Sequence, residues 1–134
     1  MANALYGLGK ERLGTAGINL LTDTIKARLV KNTYAQNLST DEFISSVTKI
    51  TGTTDQTLTG KSFTLGVFDA ADITFTAVPA GETSEGVVLY KDTGVEGTSP
   101  VIAYIDTITG FPLATSGGNI TVQWDNGAYK IFSL

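Results

Sequence analysis

Residues 86–105, GVVLYKDTGVEGTSPVIAYI, contain the two densest apolar runs of the chain. The first run is GVVLY at residues 86–90, and the second is VIAYI at residues 101–105. Short continuous apolar runs rich in β-branched residues are typical of strands that are covered on both faces of a sheet. Between the runs, residues 92–100 contain Gly and Pro, which favour a loop. The stretch therefore predicts two buried strands joined by a loop.

Residues 24–31, TIKARLVK, alternate apolar and polar side chains, which predicts a half-buried strand. The face predicted to be buried carries Ile25, Ala27 and Leu29. Three basic residues, Lys26, Arg28 and Lys31, form the densest basic group of the chain. We predict that this group is the solvated face of the strand.

Further alternating segments follow downstream. Residues 63–68 (FTLGVF) predict one strand with Phe63, Leu65 and Val67 on one face. Residues 73–78 (ITFTAV) predict another, with Ile73, Phe75 and Ala77 directed inward. Segments 120–124 and 129–132 flank Asp125-Asn126-Gly127, where Asn-Gly is a strong signal for a β-hairpin.

Helical signals are few and short. Residues 2–16 place leucines at roughly helical spacing but include three glycines, so we predict a short helix or an ordered arm over residues 1–16. Ser39 and Glu42 have capping-box spacing, which predicts a helix of one or two turns within residues 40–48. The fold class is therefore predicted to be mainly β, an antiparallel β-sandwich or barrel, in a single domain over residues 1–134.

The composition argues against several classes of function. The chain has no His and no Cys, which removes the usual general base, the Ser-His-Asp and Cys-His nucleophiles and thiolate metal sites. A formal net charge of −4, with basic residues spread thinly, argues against nucleic acid as a partner. No apolar stretch approaches the ~20 residues of a membrane span, and we expect no membrane partner. We expect no enzyme activity, no cofactor and no metal.

The candidate sites that remain are weak. Asp41 and Glu42 fit a helix N-terminus, and Asp69 and Asp72 bracket a turn at which a Ca²⁺ site is conceivable but lacks the spacing of a dedicated loop. The aromatic residues in predicted strands fit core positions better than a stacking platform for sugars or bases; they are Tyr90, Tyr104, Trp124, Tyr129 and Phe132.

The succession of segments resembles a family of small proteins encoded among the virion structural genes of tailed bacteriophages and prophages. The resemblance spans nearly the whole chain and is carried by ALYGLGKERLGTAGIN, LTDTIKARLV, YAQNLSTDEFISSV, GVFDAADITFTAV, VVLYKDTG, IAYIDTITGFPL and ITVQWDNGAYKIFSL. It implies a virion component made in the host cytoplasm, of which we favour a capsid decoration or cement protein. It implies no catalytic residues.

The expected partners are the major capsid protein or other virion proteins, and the sequence leaves open whether the chain forms a homo-oligomer. The candidates for contact lie in the N-terminal arm and the C-terminal segment: Leu5, Tyr6, Leu8, Leu13, Trp124, Tyr129 and Phe132. For the C-terminal residues, closing the domain's own core is at least as good an interpretation. The alternatives are a tail, neck or fibre component, and a host-surface or carbohydrate-binding module.

Overall fold

A computed structural model describes residues 3–134. The chain in this range is mainly β, with one α-helix, α1 (Gly7–Gly14), and two single 3-10 turns, Ile44–Ser46 and Glu96–Thr98. The strands are β1 (Ala4–Leu5), β2 (Ile25–Lys31), β3 (Gln56–Thr57), β4 (Ser62–Thr64), β5 (Val67–Asp69), β6 (Ile73–Phe75), β7 (Thr83–Lys91), β8 (Val101–Ile105), β9 (Leu113–Ala114), β10 (Ile120–Val122) and β11 (Phe132–Ser133).

The largest sheet is antiparallel and has the strand order β1-β8-β7-β2-β3, with β9 paired to the first residues of β7. Its centre is formed by β7 and β8, the two strands predicted from the dense apolar runs. Every residue of β8 is buried, and so are residues 86–90 of β7. Both predictions are confirmed.

The dense runs arise because both faces of this sheet are covered. On one face, Leu29 and Leu89 belong to the main hydrophobic core, together with residues of the two smaller sheets. On the other face, Val30 and Val88 pack in a second cluster with Ile44, Val47 and the aromatic rings of Tyr6, Tyr34, Tyr90 and Tyr104. Alternate side chains of a strand therefore enter different apolar clusters, and the strand shows no polar face.

Two small antiparallel sheets lie against the main core. One pairs β6 with β10, and the other has the order β11-β5-β4. They supply buried residues such as Phe68, Phe75 and Val122 to the core. The prediction of a mainly β, antiparallel fold is confirmed, although the strands of residues 3–134 do not close into a barrel.

The predicted C-terminal hairpin is wrong. The strand before Asn126-Gly127, β10, pairs with β6, and the strand after it, β11, pairs with β5. The segment between them therefore crosses from one small sheet to the other. Long-range pairing overrides the local turn signal, because each strand buries its apolar residues against a different partner.

The segment at residues 63–68 is a hairpin, β4–β5, rather than one strand. Its turn is Leu65-Gly66, with positive φ angles of 51° and 80°, and Leu65 points into solvent instead of sharing a face with Phe63. The alternation predicted for residues 73–78 also ends early. Ala77 has a φ of 48° and is exposed, so that Val78 enters the core in its place.

The helix predicted within residues 40–48 is reduced to the 3-10 turn Ile44–Ser46, which has no side-chain cap. Phe43 is extended and forms a bridge with Pro100, so the capping box of Ser39 and Glu42 is not formed. The side chain of Asp41 instead accepts the N–H of Asn37 and stabilises a turn before the 3-10 segment.

The N-terminal segment is docked on the main sheet as a strand followed by a helix. The strand β1 pairs with β8, and α1 confirms the predicted short helix. The close approach of α1 to β8 requires glycine at position 9, because a Cβ atom there would lie 2.6 Å from the carbonyl oxygen of Val101. Residues 1 and 2 of the predicted arm lie outside the described residues.

Candidate protein-binding surface

Leu65, at the tip of the β4–β5 hairpin, is the most exposed of the large apolar side chains in residues 3–134, at 99%. Its turn has two residues, both with positive φ, as a type I′ turn requires. Asn, Asp and Gly are favoured at the first of these positions, because a branched or bulky side chain is strained there. The position therefore combines a strained backbone with a fully solvated leucine.

Other apolar side chains lie beside this tip. The backbone N–H of Leu134 donates to the carbonyl oxygen of Gly66 at 2.8 Å, which places Leu134 next to the turn. Leu134 is 60% exposed, and Leu21 is 48% exposed. Both line a shallow groove with Phe63, Leu13, Ala16, Ile18, Asn19 and Leu20. We call Leu65 and this groove the Leu65 surface.

The loop that presents Leu21 is fixed by side-chain caps. The side-chain oxygen of Asn19 accepts the N–H groups of Leu21 and Thr22 at 3.0 and 3.1 Å. The Asp23 carboxylate accepts the N–H of Asn19 at 2.7 Å and forms an ion pair with Lys91 at 3.2 Å. The bond from Asn19 is the main cause that lowers the pKa of Asp23 below its usual value, with Lys91 adding to it. These bonds hold the loop that forms one wall of the groove in place before any partner binds.

Lys61 connects this loop to the hairpin. Its ammonium group donates to the carbonyl oxygen of Asp23 at 2.5 Å, and the next residue, Ser62, begins β4. The two walls of the groove, the loop at residues 19–23 and the strand containing Phe63, are thus linked by a hydrogen bond. This link supports a preorganised surface, which reduces the entropy that binding costs.

Arg28 corrects the prediction that the basic residues of β2 form a solvated face, because it is only 4% exposed. Its Nε and Nη2 atoms bond the carboxylate of Asp55, and Nη2 also reaches Glu96 at 2.9 Å. Its Nη1 atom donates to the carbonyl oxygens of Ile44 and Val47, both at 3.1 Å. All five guanidinium donors are therefore used within the chain.

The charges around Arg28 stabilise one another. Burial opposes the cation, but the hydrogen bonds and charges of Asp55 and Glu96 outweigh it and raise the pKa of Arg28. The hydroxyl of Tyr90 donates to Asp55 at 2.6 Å, and burial together with this bond raises the pKa of Tyr90. Since the guanidinium has no donor left over, this cluster fits a structural role that ties β2 to two loops. Lys26 and Lys31 of the same group are only half-buried.

Three of the four acidic candidates, Asp41, Glu42 and Asp72, have partners for their side chains within the chain. Asp41 accepts the hydroxyl of Tyr34 at 2.6 Å, and Glu42 lies 3.4 Å from Arg12. Asp69 ends β5, and Asp72 accepts the backbone N–H of Trp124 at 3.0 Å. Among residues 3–134, no group of three or more acidic side chains is placed to hold a metal ion.

The structure separates the predicted contact residues into three groups. Tyr6, Trp124 and Phe132 are buried in the domain's own core. Leu5, Leu8 and Leu13 are half-buried, and Leu13 lines the groove of the Leu65 surface. Tyr129 is 69% exposed. Their contact roles stay predictions, but only side chains of the last two groups reach the surface.

Of the aromatic residues weighed as a stacking platform, four are buried, which confirms core positions for Tyr90, Tyr104, Trp124 and Phe132. Sequence reasoning missed Leu21, Leu65 and Leu134 as surface candidates. A weak signal for Leu65 existed: Gly66 interrupts an otherwise regular apolar alternation, and Gly inside a strand pattern often marks a turn or bulge.

No protein-family model and no curated protein matches this chain. Within residues 3–134, the single α-helix spans eight residues, and no helix has the length and apolar character needed to cross a membrane.

Proposed function

We propose that the protein is a structural component of a tailed-phage virion that decorates the head, binding the assembled capsid and stabilising it. The proposal joins two arguments: the resemblance of the sequence to small virion proteins, and the exposed leucine at the strained tip of the β4–β5 hairpin. The partner is the major capsid protein, or another virion protein in contact with it. No catalytic step is part of this function.

The single observation that carries a binding role is Leu65. Its positive φ opposes folding and its exposed side chain contributes nothing to stability, and residues held in a strained conformation commonly have a function that explains them. Burying one leucine side chain in an interface contributes about 1.5–3 kcal/mol. The groove beside Leu65 extends the apolar area on which a partner can pack. Phe63 and Leu134 line this groove and lie next to the hairpin tip, since Phe63 belongs to β4 and Leu134 bonds Gly66.

Decoration would stabilise a capsid through added buried area. A protein that packs across a junction between capsid subunits is repeated at each equivalent junction. If each interface buries ~1,600 Å², the repeated contacts stabilise the shell collectively even when each one is modest. The fixed shape of the Leu65 surface suits such a contact, since little ordering accompanies binding.

The test is co-sedimentation of the purified protein with capsids assembled without it. We expect saturable binding and a higher rupture temperature for the bound capsids. The Leu65→Asn variant should bind about tenfold more weakly or worse, because the apolar contact is lost. Val95→Thr is the matched control, since Val95 is also an exposed apolar residue, at 60%, and is not part of the Leu65 surface.

Three outcomes would count against the proposal. Equal binding by Leu65→Asn and wild type would remove the Leu65 surface from the interface. Absence of binding to capsids, with the protein found in tails or necks of intact particles, would favour the tail or neck alternative. Binding to a glycan array in the absence of capsid binding would favour the carbohydrate-binding alternative.

A further inference from the structure

A second groove lies between two strands that each end a sheet. Its volume is about 410 Å³, and it is lined on one side by Asn3, Ala4 and Leu5, and on the other by residues 129–133, with Thr107 and Asp125 between them. The strand β1 is the last strand of the main sheet, and β11 is the last strand of the three-stranded sheet. We call this the edge groove.

The backbone of β1 turns unpaired groups toward its free edge. The N–H of Tyr6 donates to the carbonyl oxygen of Ile102 at 3.0 Å, so these two residues form a hydrogen-bonded pair. Positions alternate along an antiparallel pair, so Leu5, opposite Ala103, directs its N–H and C=O away from β8. Leu5 therefore offers one donor and one acceptor on the open side of the sheet.

The same pattern holds for β11. The N–H of Leu134 donates to the carbonyl oxygen of Gly66, so the preceding residue, Ser133, directs its N–H and C=O away from β5. Leu5 and Ser133 both line the edge groove. The groove is thus bounded by two strand edges with backbone groups available for pairing, which is the arrangement that an added strand uses.

The side chains and charges of the groove define the kind of strand. Apolar contacts are available from Leu5 and from the exposed ring of Tyr129. At Thr107 and Asp125 the groove continues into a neighbouring depression that also contains Asp72 and Asp106. This end is acidic and suits a basic residue of the partner, whereas Lys130 is the only basic residue that lines the edge groove in the described chain.

We propose that the edge groove binds an extended segment of a partner protein, which adds a β-strand between β1 and β11 and places a Lys or Arg near Asp125. Alternate side chains of the segment, Val or Thr in type, would pack on Leu5 and Tyr129. This proposal does not depend on the virion assignment, because it concerns backbone pairing at strand edges rather than apolar packing on Leu65; the two surfaces are neighbours, since Ser133 precedes Leu134.

The probe is a synthetic seven-residue peptide of alternating Val and Thr with Lys at both ends, capped at its termini. We expect it to bind the full chain and to protect the amide protons of Leu5 and Ser133 from exchange, as measured by NMR. The same peptide N-methylated at alternate residues should bind about tenfold more weakly or worse, because it cannot pair along one edge. Replacing both Lys by Glu should weaken binding by a similar factor.

A matched pair of variants tests the protein side. Ser133→Pro removes the outward N–H while leaving the bonds of β11 to β5, since Pro is tolerated on edge strands. Ser133→Ala keeps the N–H. We expect the Pro variant to bind the peptide at least about tenfold more weakly than the Ala variant.

The peptide comparison uses wild-type protein, so it decides the question even if the Pro variant does not fold. Equal affinity of the methylated and unmethylated peptides, or protection confined to other residues, would overturn the proposal. Concentration-dependent self-association that protects Leu5 and Ser133 without peptide would replace it with pairing between two copies of the chain. The peptide comparison does not measure capsid binding, so its failure leaves the co-sedimentation test of Leu65 unaffected.

Discussion

The hydroxyl oxygens of Tyr6 and Tyr34 lie 2.5 Å apart in the second apolar cluster, on the face of the main sheet opposite the main core. The Tyr34 hydroxyl also donates to Asp41, so the proton between the two tyrosines comes from Tyr6. This chain of bonds connects the N-terminal segment to the loop that follows β2. The Tyr34 hydroxyl therefore takes part in two hydrogen bonds, whereas the Tyr6 hydroxyl takes part in one.

We predict that Tyr34→Phe is more destabilising than Tyr6→Phe. Removing the Tyr34 hydroxyl leaves the fully buried Tyr6 hydroxyl without its acceptor and should lower the free energy of unfolding by about 1–3 kcal/mol. Removing the Tyr6 hydroxyl breaks one bond and leaves Tyr34 bonded to Asp41, for a loss of about 1 kcal/mol. Urea denaturation measures both, and the opposite order would contradict the proton assignment.

Two glycines of α1 should respond to alanine in opposite directions. Gly9→Ala places a Cβ against the backbone of Val101 and Ile102 and should destabilise by about 1–3 kcal/mol. A Cβ added at Gly14 would meet no atom within 4 Å, so Gly14→Ala should stabilise by up to about 1 kcal/mol through helix propensity. Thermal unfolding of the two variants checks the sign, and a stable Gly9→Ala protein would show that the helix can move away from β8.

Arg28→Met should cost about 3–5 kcal/mol, because it leaves the largely buried Asp55 carboxylate without its cation. Lys26→Met is the control on the same strand. Lys26 pairs with Asp92 at 3.1 Å near the surface, and its loss should cost at most about 1 kcal/mol. Chemical denaturation distinguishes the two, and similar losses would mean that Arg28 is not the centre of a buried network.

Leu65→Asn should make the isolated protein more stable by about 0.5–1 kcal/mol. Asn adopts positive φ at lower cost than Leu and is favoured before Gly in a type I′ turn, while the lost side chain was already in solvent. The gain is measured by urea denaturation beside the binding assay. A variant that is less stable than wild type would show that Leu65 packs within its own chain.

The stability of the protein should fall at alkaline pH. Burial is the main cause that raises the pKa of Tyr6, Tyr34, Tyr90 and Tyr104, in the last case to about 12. Because unfolded tyrosines ionise near pH 10, the contribution is fully present below about pH 10 and is lost as the pH rises further. Absorbance titration of tyrosinate should show these four residues ionising only well above pH 10, and their ionisation near pH 10 in the intact protein would contradict the burial.

The elements predicted best are those that local pattern alone determines. The runs at residues 86–90 and 101–105 are apolar throughout because both faces of β7 and β8 are covered, and that property is visible in any short window. The alternation in β2 likewise predicts which face meets the core. The burial of Arg28 is different, since its partners Asp55 and Glu96 are distant in sequence and nothing near Arg28 indicates them.

The wrong predictions arise where the local sequence pattern does not match the pairing of the strands in the fold. Asn126-Gly127 is a good turn sequence, yet β10 and β11 find partners in different sheets. Leu65 fits the apolar alternation of residues 63–68, but its positive φ turns the chain back on itself. The candidate surface was therefore missed because its defining residue fits the predicted strand pattern and is exposed only through the turn.

The pairing of β1 with β8 also determines how the chain can fold during synthesis. Ala4 pairs with Tyr104, so the first strand of the main sheet has no partner until about a hundred later residues have left the ribosome. Pairings between such distant residues slow folding, because a long loop must close before any contact forms. Until β8 emerges, β1 and Tyr6 cannot dock on the growing sheet, and the nascent chain exposes apolar surface that the finished protein covers.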